Sequence, residues 1–213
     1  MNVGIVGSGE VAQALAAGFL KHRHQVTIGA RSPAKLADWA RPHRSVQLGG
    51  IAEAVAFGDV IVLAVNGRAA VEVLEQVGAE ALRGKIVIDV TNPIASETPA
   101  RGVLPVFTGP NESLLERLQA AQPGARFVKA FNSVGAPLMV NPQFTDGPPS
   151  MFICGNDDRA KGTVTEIVEQ FGWEVVDMGS AEAARVIEPL AVLWCIPGFL
   201  RDEWSHAFRL LRR

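Results

Sequence analysis

The opening residues constrain this chain more than any other segment. A short apolar run over residues 2–6 is followed by Gly7-x-Gly9-x-x-Ala12 and then by a helical pattern that ends near Arg23. A strand, a glycine turn and a helix in this order form the phosphate-binding corner of a dinucleotide-binding fold. The sequence therefore predicts a Rossmann-type α/β domain that binds a dinucleotide.

Each residue of this turn affects how closely a pyrophosphate can approach the start of the helix. Gly7 lets the backbone turn sharply off the strand, and Gly9 lacks the Cβ that would hold a pyrophosphate away from the N–H groups of the helix. Ala12 is small enough for the helix to lie close to the sheet. Glu10 places a carboxylate in the first helical turn, where it would compete with the pyrophosphate, so we expect it to point outward.

The residues that end the second predicted strand indicate which dinucleotide binds. This strand covers residues 25–30, and no carboxylate follows it to hold the adenosine ribose of NAD. Arg31 instead offers a guanidinium, Ser32 a hydroxyl at a helix start, and Lys35 a second cation one turn later, which suits a ribose 2′-phosphate. The sequence thus predicts NADP(H), and the alternative is a solvated arginine beside a Ser-Pro helix cap.

Length, charge and composition exclude several classes of protein. The chain has 213 residues and a formal net charge of −2. This length suits one α/β domain with a small appendage, and the lack of a basic stripe argues against a nucleic-acid partner. The sequence contains no tyrosine, which excludes a catalytic Tyr–Lys pair. Cys154 and Cys195 lie far apart without metal-type spacing, so we expect reduced thiols and no metal site.

The most apolar stretch raises the question of a membrane segment. It covers residues 189–200, which is too short for a span, and Pro197 and Gly198 are expected to interrupt it. No signal-peptide pattern precedes the first strand. We therefore expect a soluble, cytoplasmic protein without a membrane partner, in which the apolar stretch lines a pocket or a subunit contact.

Strand and helix patterns alternate along the chain and predict a doubly wound parallel sheet with helices on both faces. Further strands are expected at residues 46–48, 59–65, 85–90 and 126–131, and more peripheral ones at 151–154 and 173–177. Helices are expected at 51–57, 159–171 and 181–193, with a final amphipathic helix at 202–211. These patterns predict an NADP-binding domain over residues 1–179 and a small C-terminal helical portion over 180–213, packed on the same domain.

Ligands of doubly wound sheets lie outside the carboxyl ends of the strands, so the residues that follow the core strands are candidate site residues. None of them is a strong acid or base, but amides and hydroxyls can orient a ribose, a nicotinamide or a planar acceptor. The alternative is that Asn and Pro simply end strands and form turns. The candidates for ligand contact are Ala64, Val65, Asn66, Asn92, Asn132, Ser133 and Val134.

Catalytic acids and bases are scarce in the sequence. The four histidines fall on helix ends, a connection or the last predicted helix, and all of them are explicable as surface residues. Lys129, inside a strand, and Glu188, on the late apolar helix, would either approach a substrate or form a satisfied buried ion pair. Hydride transfer between two bound redox rings needs little acid–base help, so we assign no catalytic residue.

Several motifs resemble those of the NADP oxidoreductase family that works with the deazaflavin coenzyme F420. The nucleotide domain of that family is also similar to that of the six-transmembrane metalloreductases. The matching segments span nearly the whole chain and lie at residues 4–11, 29–32, 63–65, 89–93, 128–132, 154–157 and 181–193. The resemblance implies a protein that is usually dimeric and transfers a hydride between NADP(H) and the deazaflavin.

The same resemblance assigns roles to individual positions. It implies that Ser8, Gly9, Glu10 and Val11 meet the pyrophosphate, that Ala30, Arg31 and Lys35 meet the 2′-phosphate, and that Val65 with Asn132, Ser133 and Val134 faces the nicotinamide. Asn66 stands where the family often has Pro, and Ala30 replaces a serine that would add a phosphate contact.

These residues are compatible with more than one second redox partner. The first hypothesis is a reductase that acts on coenzyme F420, on a flavin or on another planar acceptor. A second is an imine reductase similar to the pyrroline-carboxylate reductases, although these carry a longer helical C-terminal region. A third is a non-catalytic protein that senses NADP(H).

Overall fold

Eight strands form one sheet in the computed structural model, which describes residues 1–213. The strands are β1 (Asn2–Val6), β2 (Gln25–Gly29), β3 (Val46–Gly49), β4 (Val60–Leu63), β5 (Ile86–Asp89), β6 (Arg126–Lys129), β7 (Ser150–Gly155) and β8 (Glu174–Asp177). Their order in the sheet is β3-β2-β1-β4-β5-β6-β7-β8. The first six strands have the doubly wound Rossmann order, which confirms the predicted fold class.

Nine α-helices accompany the strands. They are α1 (Glu10–Lys21), α2 (Ala37–Ala40), α3 (Ile51–Phe57), α4 (Gly67–Val77), α5 (Ala79–Leu82), α6 (Leu114–Ala121), α7 (Asp158–Gln170), α8 (Ala184–Ile187) and α9 (Pro189–Arg201). Short 3₁₀ helices cover Pro33–Leu36, Ala136–Leu138 and Ala181–Ala183. Each predicted strand is present, and the ends of these strands and of the first helix differ from the predicted ones by up to two residues.

The sheet has an apolar cluster on each face. Side chains alternate along β4, so Val60 and Val62 join a cluster of 27 buried residues with α1 and α7. Ile61 and Leu63 join a second cluster of 17 buried residues with α4, α6 and α8. Because helices cover both faces of the sheet, the core strands are apolar along their whole length. A ligand can therefore bind only outside the carboxyl ends of the strands.

The predicted parallel sheet contains one antiparallel pair of strands. β7 runs antiparallel to β6, with Val128 opposite Gly155 and Lys129 opposite Cys154. A parallel strand would need a crossover that returns the chain to the end of the sheet where β6 begins. The segment between β6 and β7 contains only the 3₁₀ helix Ala136–Leu138. The chain therefore begins β7 at the same end of the sheet where β6 finished, and β7 runs in the opposite direction. β8 then pairs parallel with β7.

Two helices that pack on the sheet, α4 and α6, were not predicted from the sequence patterns. Asn66 caps α4, since its Oδ1 accepts a hydrogen bond from the N–H of Arg68 at 3.0 Å. Ser113 and Glu116 form a capping box at the start of α6, with Ser113 N donating to the Glu116 carboxylate at 3.0 Å. Both caps are signals that the sequence contains, so these helices could have been predicted.

The helix at the end of the chain continues farther than expected. The predicted break at Pro197 and Gly198 is wrong, because both residues lie inside α9. A proline in a helix removes one backbone donor, and the remaining bonds hold the helix in place here. α9 ends at Arg201, and the next residue, Asp202, has a left-handed φ of 56° that turns the chain back.

The predicted amphipathic helix over residues 202–211 is also wrong, since this segment has no regular structure. Its backbone pairs instead with the start of β7. Ser150 N donates to the carbonyl oxygen of Phe208 at 2.9 Å, and Leu210 N donates to Ser150 Oγ at 3.0 Å. The ring of Trp204 lies over Gly198, where a Cβ would come within 2.3 Å of the indole. These tertiary contacts outweigh the local helical pattern.

The helical run Ala181–Arg201 is, at 21 residues, long and apolar enough to cross a membrane. The apolar stretch expected to be too short, residues 189–200, thus belongs to a longer helical run that begins at Ala181. A single such helix is weak evidence, because helices of folded cores satisfy the same criterion. Here the side chains of Glu188 and Trp194 are buried against the domain, being 2% and 7% exposed.

Candidate functional site

The glycine turn lies where the strand order reverses, between β1 and β4. Gly7 has a φ of 138°, and a Cβ there would come within 2.1 Å of the carbonyl oxygen of Ala64. Gly9 has an ordinary φ of −76°, and no atom lies within 4 Å of the place where its Cβ would be. No side chain caps α1. Gly7 is thus required by the fold, whereas Gly9 leaves open space in front of a helix start that can receive an anion.

One cavity opens between the glycine turn, the end of β2 and helix α4. Its volume is about 270 Å³. The predicted site residues that line it are Gly7, Ser8, Gly9, Ala30, Arg31, Ala64, Val65 and Asn66. The other lining residues, which the sequence reasoning missed, are Gly29, Ile51, Ala69, Glu72, Val73 and Gln76. Most of these belong to α4, so recognising its N-cap would have pointed to them.

A second cavity, of about 510 Å³, continues toward the ends of β4 and β5. It is lined by the predicted residues Gly9, Glu10, Val11, Ala64, Val65, Asn66 and Asn92, and also by Gly67, Val90, Thr91 and Ile94. Glu10 is exposed and also lines this cavity. The two cavities share Gly9, Ala64, Val65 and Asn66. Together they form one continuous groove along the carboxyl edge of the sheet, which we call the cleft.

Three predicted phosphate ligands lie at the β2 end of the cleft. Arg31 lines the cleft, is exposed and forms no ion pair. Ser32 and Lys35 are exposed on the adjoining turn but do not line the cleft. Arg31 is therefore the cation that the structure presents directly to a ligand at this end.

The amides that follow β5 and β6 are joined to each other. Asn92 Nδ2 donates to the backbone oxygen of Asn132 at 2.7 Å, and Asn132 Nδ2 donates to Asn92 Oδ1 at 3.1 Å. Asn132, Ser133 and Val134 are buried and do not line the cleft. Asn92 thus faces the cleft, while the three residues after β6 stand behind its wall.

A buried ion cluster lies directly beneath this wall. Lys129 Nζ is 2.6 Å from Asp89 Oδ2 and 2.9 Å from Glu188 Oε1, and it donates to the carbonyl oxygen of Thr91 at 2.9 Å. Burial on its own would lower the pKa of Lys129, but the two carboxylates outweigh burial and raise it. Glu188 also accepts the N–H groups of Leu114 and Leu115 at the start of α6. Of the two interpretations of Lys129 and Glu188, the structure favours the satisfied buried ion pair.

The cleft therefore offers positioning groups and few reactive ones. No histidine lines it, and Glu10 and Glu72 are its only carboxylates. Its middle and its β5 end are lined by backbone, by the polar residues Glu10, Asn66, Thr91 and Asn92, and by the apolar residues Val65, Val90 and Ile94. Such a site can hold and orient an elongated ligand with an anionic centre. It is poorly equipped for general acid–base chemistry.

The fold and the cleft define a Rossmann-type dinucleotide-binding protein. The model of the family described as "NADP oxidoreductase coenzyme F420-dependent" matches residues 2–93. A candidate F420-dependent NADP reductase from Arthrobacter sp. FB24, known from its crystal structure, is 31% identical with a TM-score of 0.93 and 100% of each chain covered. The F420-dependent NADP reductase of Methanothermobacter marburgensis is 28% identical over 88% of this chain and 87% of that protein.

Another relative is much longer. The metalloreductase STEAP3 of Rattus norvegicus is 34% identical over 93% of this chain and 38% of its own length. This chain thus spans a little over a third of the metalloreductases that it matches.

The chain belongs to the coenzyme F420-dependent NADP oxidoreductase family, which confirms the resemblance found in the sequence.

Proposed function

We propose that this protein transfers a hydride between NADPH and a planar acceptor, which is a deazaflavin such as coenzyme F420, a flavin or a related ring. The observation that carries the proposal is the continuous cleft, with an open glycine turn at its centre and a free guanidinium at one end. A dinucleotide phosphate has matching features, with two phosphates in the middle and a third at one sugar.

Each part of the cleft fits one part of NADPH. Ser8, Gly9 and Val11 at the start of α1 would hold the pyrophosphate, and Arg31 would bind the 2′-phosphate, with Ser32 and Lys35 on the adjoining turn as further candidates. The nicotinamide would then lie toward Val65 and Asn92, at the wider end of the cleft. When bound there, NADPH supplies the hydride. The protein supplies distance and orientation and shields the ring from water.

Arg31→Ala is expected to abolish most of the preference for NADPH over NADH and to leave the fold intact. One charge-assisted hydrogen bond contributes about 1.5–3 kcal/mol, so the selectivity should fall roughly 10- to 150-fold. Dissociation constants of both cofactors, measured by calorimetry, check this. Arg41→Ala is the matched control, because Arg41 is exposed and pairs only with Asp38. Unchanged selectivity in Arg31→Ala would defeat the assignment of this residue.

The acceptor itself is tested by an absorbance assay. NADPH oxidation is followed with the deazaflavin, flavins, a quinone and an imine, beside the same series with NADH. Oxidation of NADPH by one of the planar rings supports the proposal. Tight binding of NADPH without oxidation by any acceptor would favour an NADP(H)-sensing protein instead, and turnover of the imine alone would favour an imine reductase.

We further propose that two copies of the chain associate through one face of the last helical run. Val186, Leu193 and Leu200 are spaced seven residues apart and are 66%, 53% and 55% exposed. This spacing keeps the three side chains on one stripe, as in helices that pair. The family resemblance also implies a dimer, and apolar stripes of this kind are typical of contacts between subunits.

Leu193→Glu is expected to dissociate this dimer. Burying a leucine contributes about 1.5–3 kcal/mol and the residue occurs twice in a symmetric pair, so the dissociation constant should rise by more than about 100-fold. Light scattering after size-exclusion chromatography measures the mass. Leu211→Glu is the control, since Leu211 is 80% exposed and lies outside the stripe. A monomeric wild-type protein at micromolar concentration would contradict the proposal.

A cytoplasmic location and a small-molecule acceptor complete the proposal. Cys154 and Cys195 are free thiols, as is usual in a reducing compartment. Burial raises the pKa of Cys154 to about 12, which makes this thiol unreactive. The net charge of −2 also makes a nucleic-acid partner a poor fit.

A further inference from the structure

A third cavity adjoins the β5 end of the cleft. It has a volume of about 450 Å³ and is bounded by α4, the start of α6 and residues of the loop that follows β5. We call it the side cavity. Gly67 lines both the side cavity and the cleft, and Ala95 of the side cavity directly follows Ile94 of the cleft. The side cavity and the cleft are therefore neighbours at Gly67.

The side cavity combines a positive edge with an apolar base. Its polar side chains are two guanidiniums, one hydroxyl and one carboxylate. Val71, Phe107 and Leu114 form the apolar part. The residues that line it are Gly67, Arg68, Val71, Ala95, Ser96, Glu97, Phe107, Leu114 and Arg117.

The two arginines are held differently. Arg117 is fixed by Glu112, to which its Nε donates at 2.8 Å, and its guanidinium lies 5.4 Å from the centre of the Phe107 ring. Its charge is partly neutralised by this carboxylate. Arg68 is exposed and has no ion-pair partner, while its backbone is anchored because its N–H donates to Asn66 Oδ1. Arg68 thus presents an uncompensated charge to the side cavity, next to Gly67, which lines both the side cavity and the cleft.

We propose that the side cavity binds an anionic group, a phosphate or carboxylate, carried on an arm of the hydride acceptor. Arg68 is the main contact and Arg117 the second, and the apolar base packs against the carbon chain of the arm. Glu97 is the one carboxylate among the lining residues, and it opposes an anion. A guanidinium matches the planar geometry of such oxyanions, as Arg31 does at the other end of the cleft. This inference rests on the proposed function and narrows its substrate class.

The experiment compares two acceptors that share one ring. Riboflavin carries a neutral arm, and FMN carries the same arm with a phosphate. For wild-type protein, kcat/KM should be about tenfold or more higher for FMN, chiefly through KM, since an exposed charge-assisted contact gives the lower end of the usual range. Arg68→Ala should remove most of this ratio and leave riboflavin unchanged, whereas Arg68→Lys should keep part of it. Arg83→Ala is the control, because Arg83 is exposed, pairs with Glu80 and lines no part of either cavity.

Flavin binding gives a readout that needs no turnover. Quenching of flavin fluorescence measures the affinity of FMN and of riboflavin with and without NADP⁺. Tighter binding of FMN that depends on Arg68 supports the side cavity even if neither the deazaflavin nor any other planar acceptor oxidises NADPH, in which case only the proposed function fails. Equal affinities for the two flavins, no binding of either, or an Arg68→Ala loss that is the same for both would overturn the inference.

Discussion

Replacing Lys129 with methionine is expected to lower the free energy of unfolding by about 3–5 kcal/mol, the usual effect of removing one member of a buried ion pair. Methionine is similar in length, so it fills the space and removes only the charge and the donors. Two buried carboxylates, those of Asp89 and Glu188, then lose their shared cation.

The size of this effect is set by the place of the cluster in the fold. Lys129 and Asp89 are 0% exposed, and Glu188 is 2% exposed, so water cannot replace the missing ammonium. The cluster also joins four parts of the fold, namely the ends of β5 and β6, the start of α6 and the residue between α8 and α9. Its loss should therefore loosen the wall of the cleft at Thr91 as well.

Urea unfolding of Lys129→Met, followed by circular dichroism, measures the change. Lys161→Met is the matched control, because Lys161 also contacts two carboxylates, Asp177 and Asp158, but these are 46% and 97% exposed. Solvent screening limits such pairs to about 0–1 kcal/mol. A Lys129→Met protein within about 1 kcal/mol of wild type would show that the cluster is not the link between these elements.

Gly9→Val is expected to weaken NADPH binding by about two orders of magnitude or more while the protein stays folded. The added side chain would occupy the open space in front of α1 and push the pyrophosphate away. At least two charge-assisted hydrogen bonds to helix N–H groups would then be lost, each contributing about 1.5–3 kcal/mol.

Three variants separate this effect from damage to the fold. Gly9 has an ordinary φ and free surroundings, so the melting temperature of Gly9→Val without ligand should change little. Gly162→Val is the control for adding a valine, since no atom lies near that glycine on α7 either, and its NADPH affinity should stay the same. Gly7→Val should instead be strongly destabilised. Undiminished NADPH affinity in Gly9→Val would contradict the placement of the pyrophosphate.

The sequence was informative wherever structure is set by neighbouring residues. The glycine turn, the buried strands and the arginine that follows β2 in place of a carboxylate are local features. The strands form where they were predicted, and the glycine turn and Arg31 both line the cleft. The caps of α4 and α6 are equally local, so their omission was avoidable. With them, Glu72 and Gln76 would have been counted among the residues that line the cleft.

Contacts between distant residues could not be predicted in the same way. The segment over residues 202–211 has a helical pattern, but its backbone forms hydrogen bonds with Ser150, which is 60 positions from Leu210. The direction of β7 likewise depends on the path that the chain takes after β6, at the edge of the sheet. Both outcomes come from tertiary pairing that outweighs local preference.

The sequence alone thus determined the fold class, the dinucleotide corner and the cation next to it, because a turn, a strand end and a helix start are specified by adjacent residues. Only the tertiary structure decided that Lys129 is a buried structural ion, that Asn132 stands behind the cleft wall, and that Arg68 and Arg117 share a cavity. Those facts depend on packing between elements that are far apart in the sequence, such as the contact of Glu188 with Leu114 across 74 positions. A pattern of neighbouring residues does not specify which distant residues come into contact.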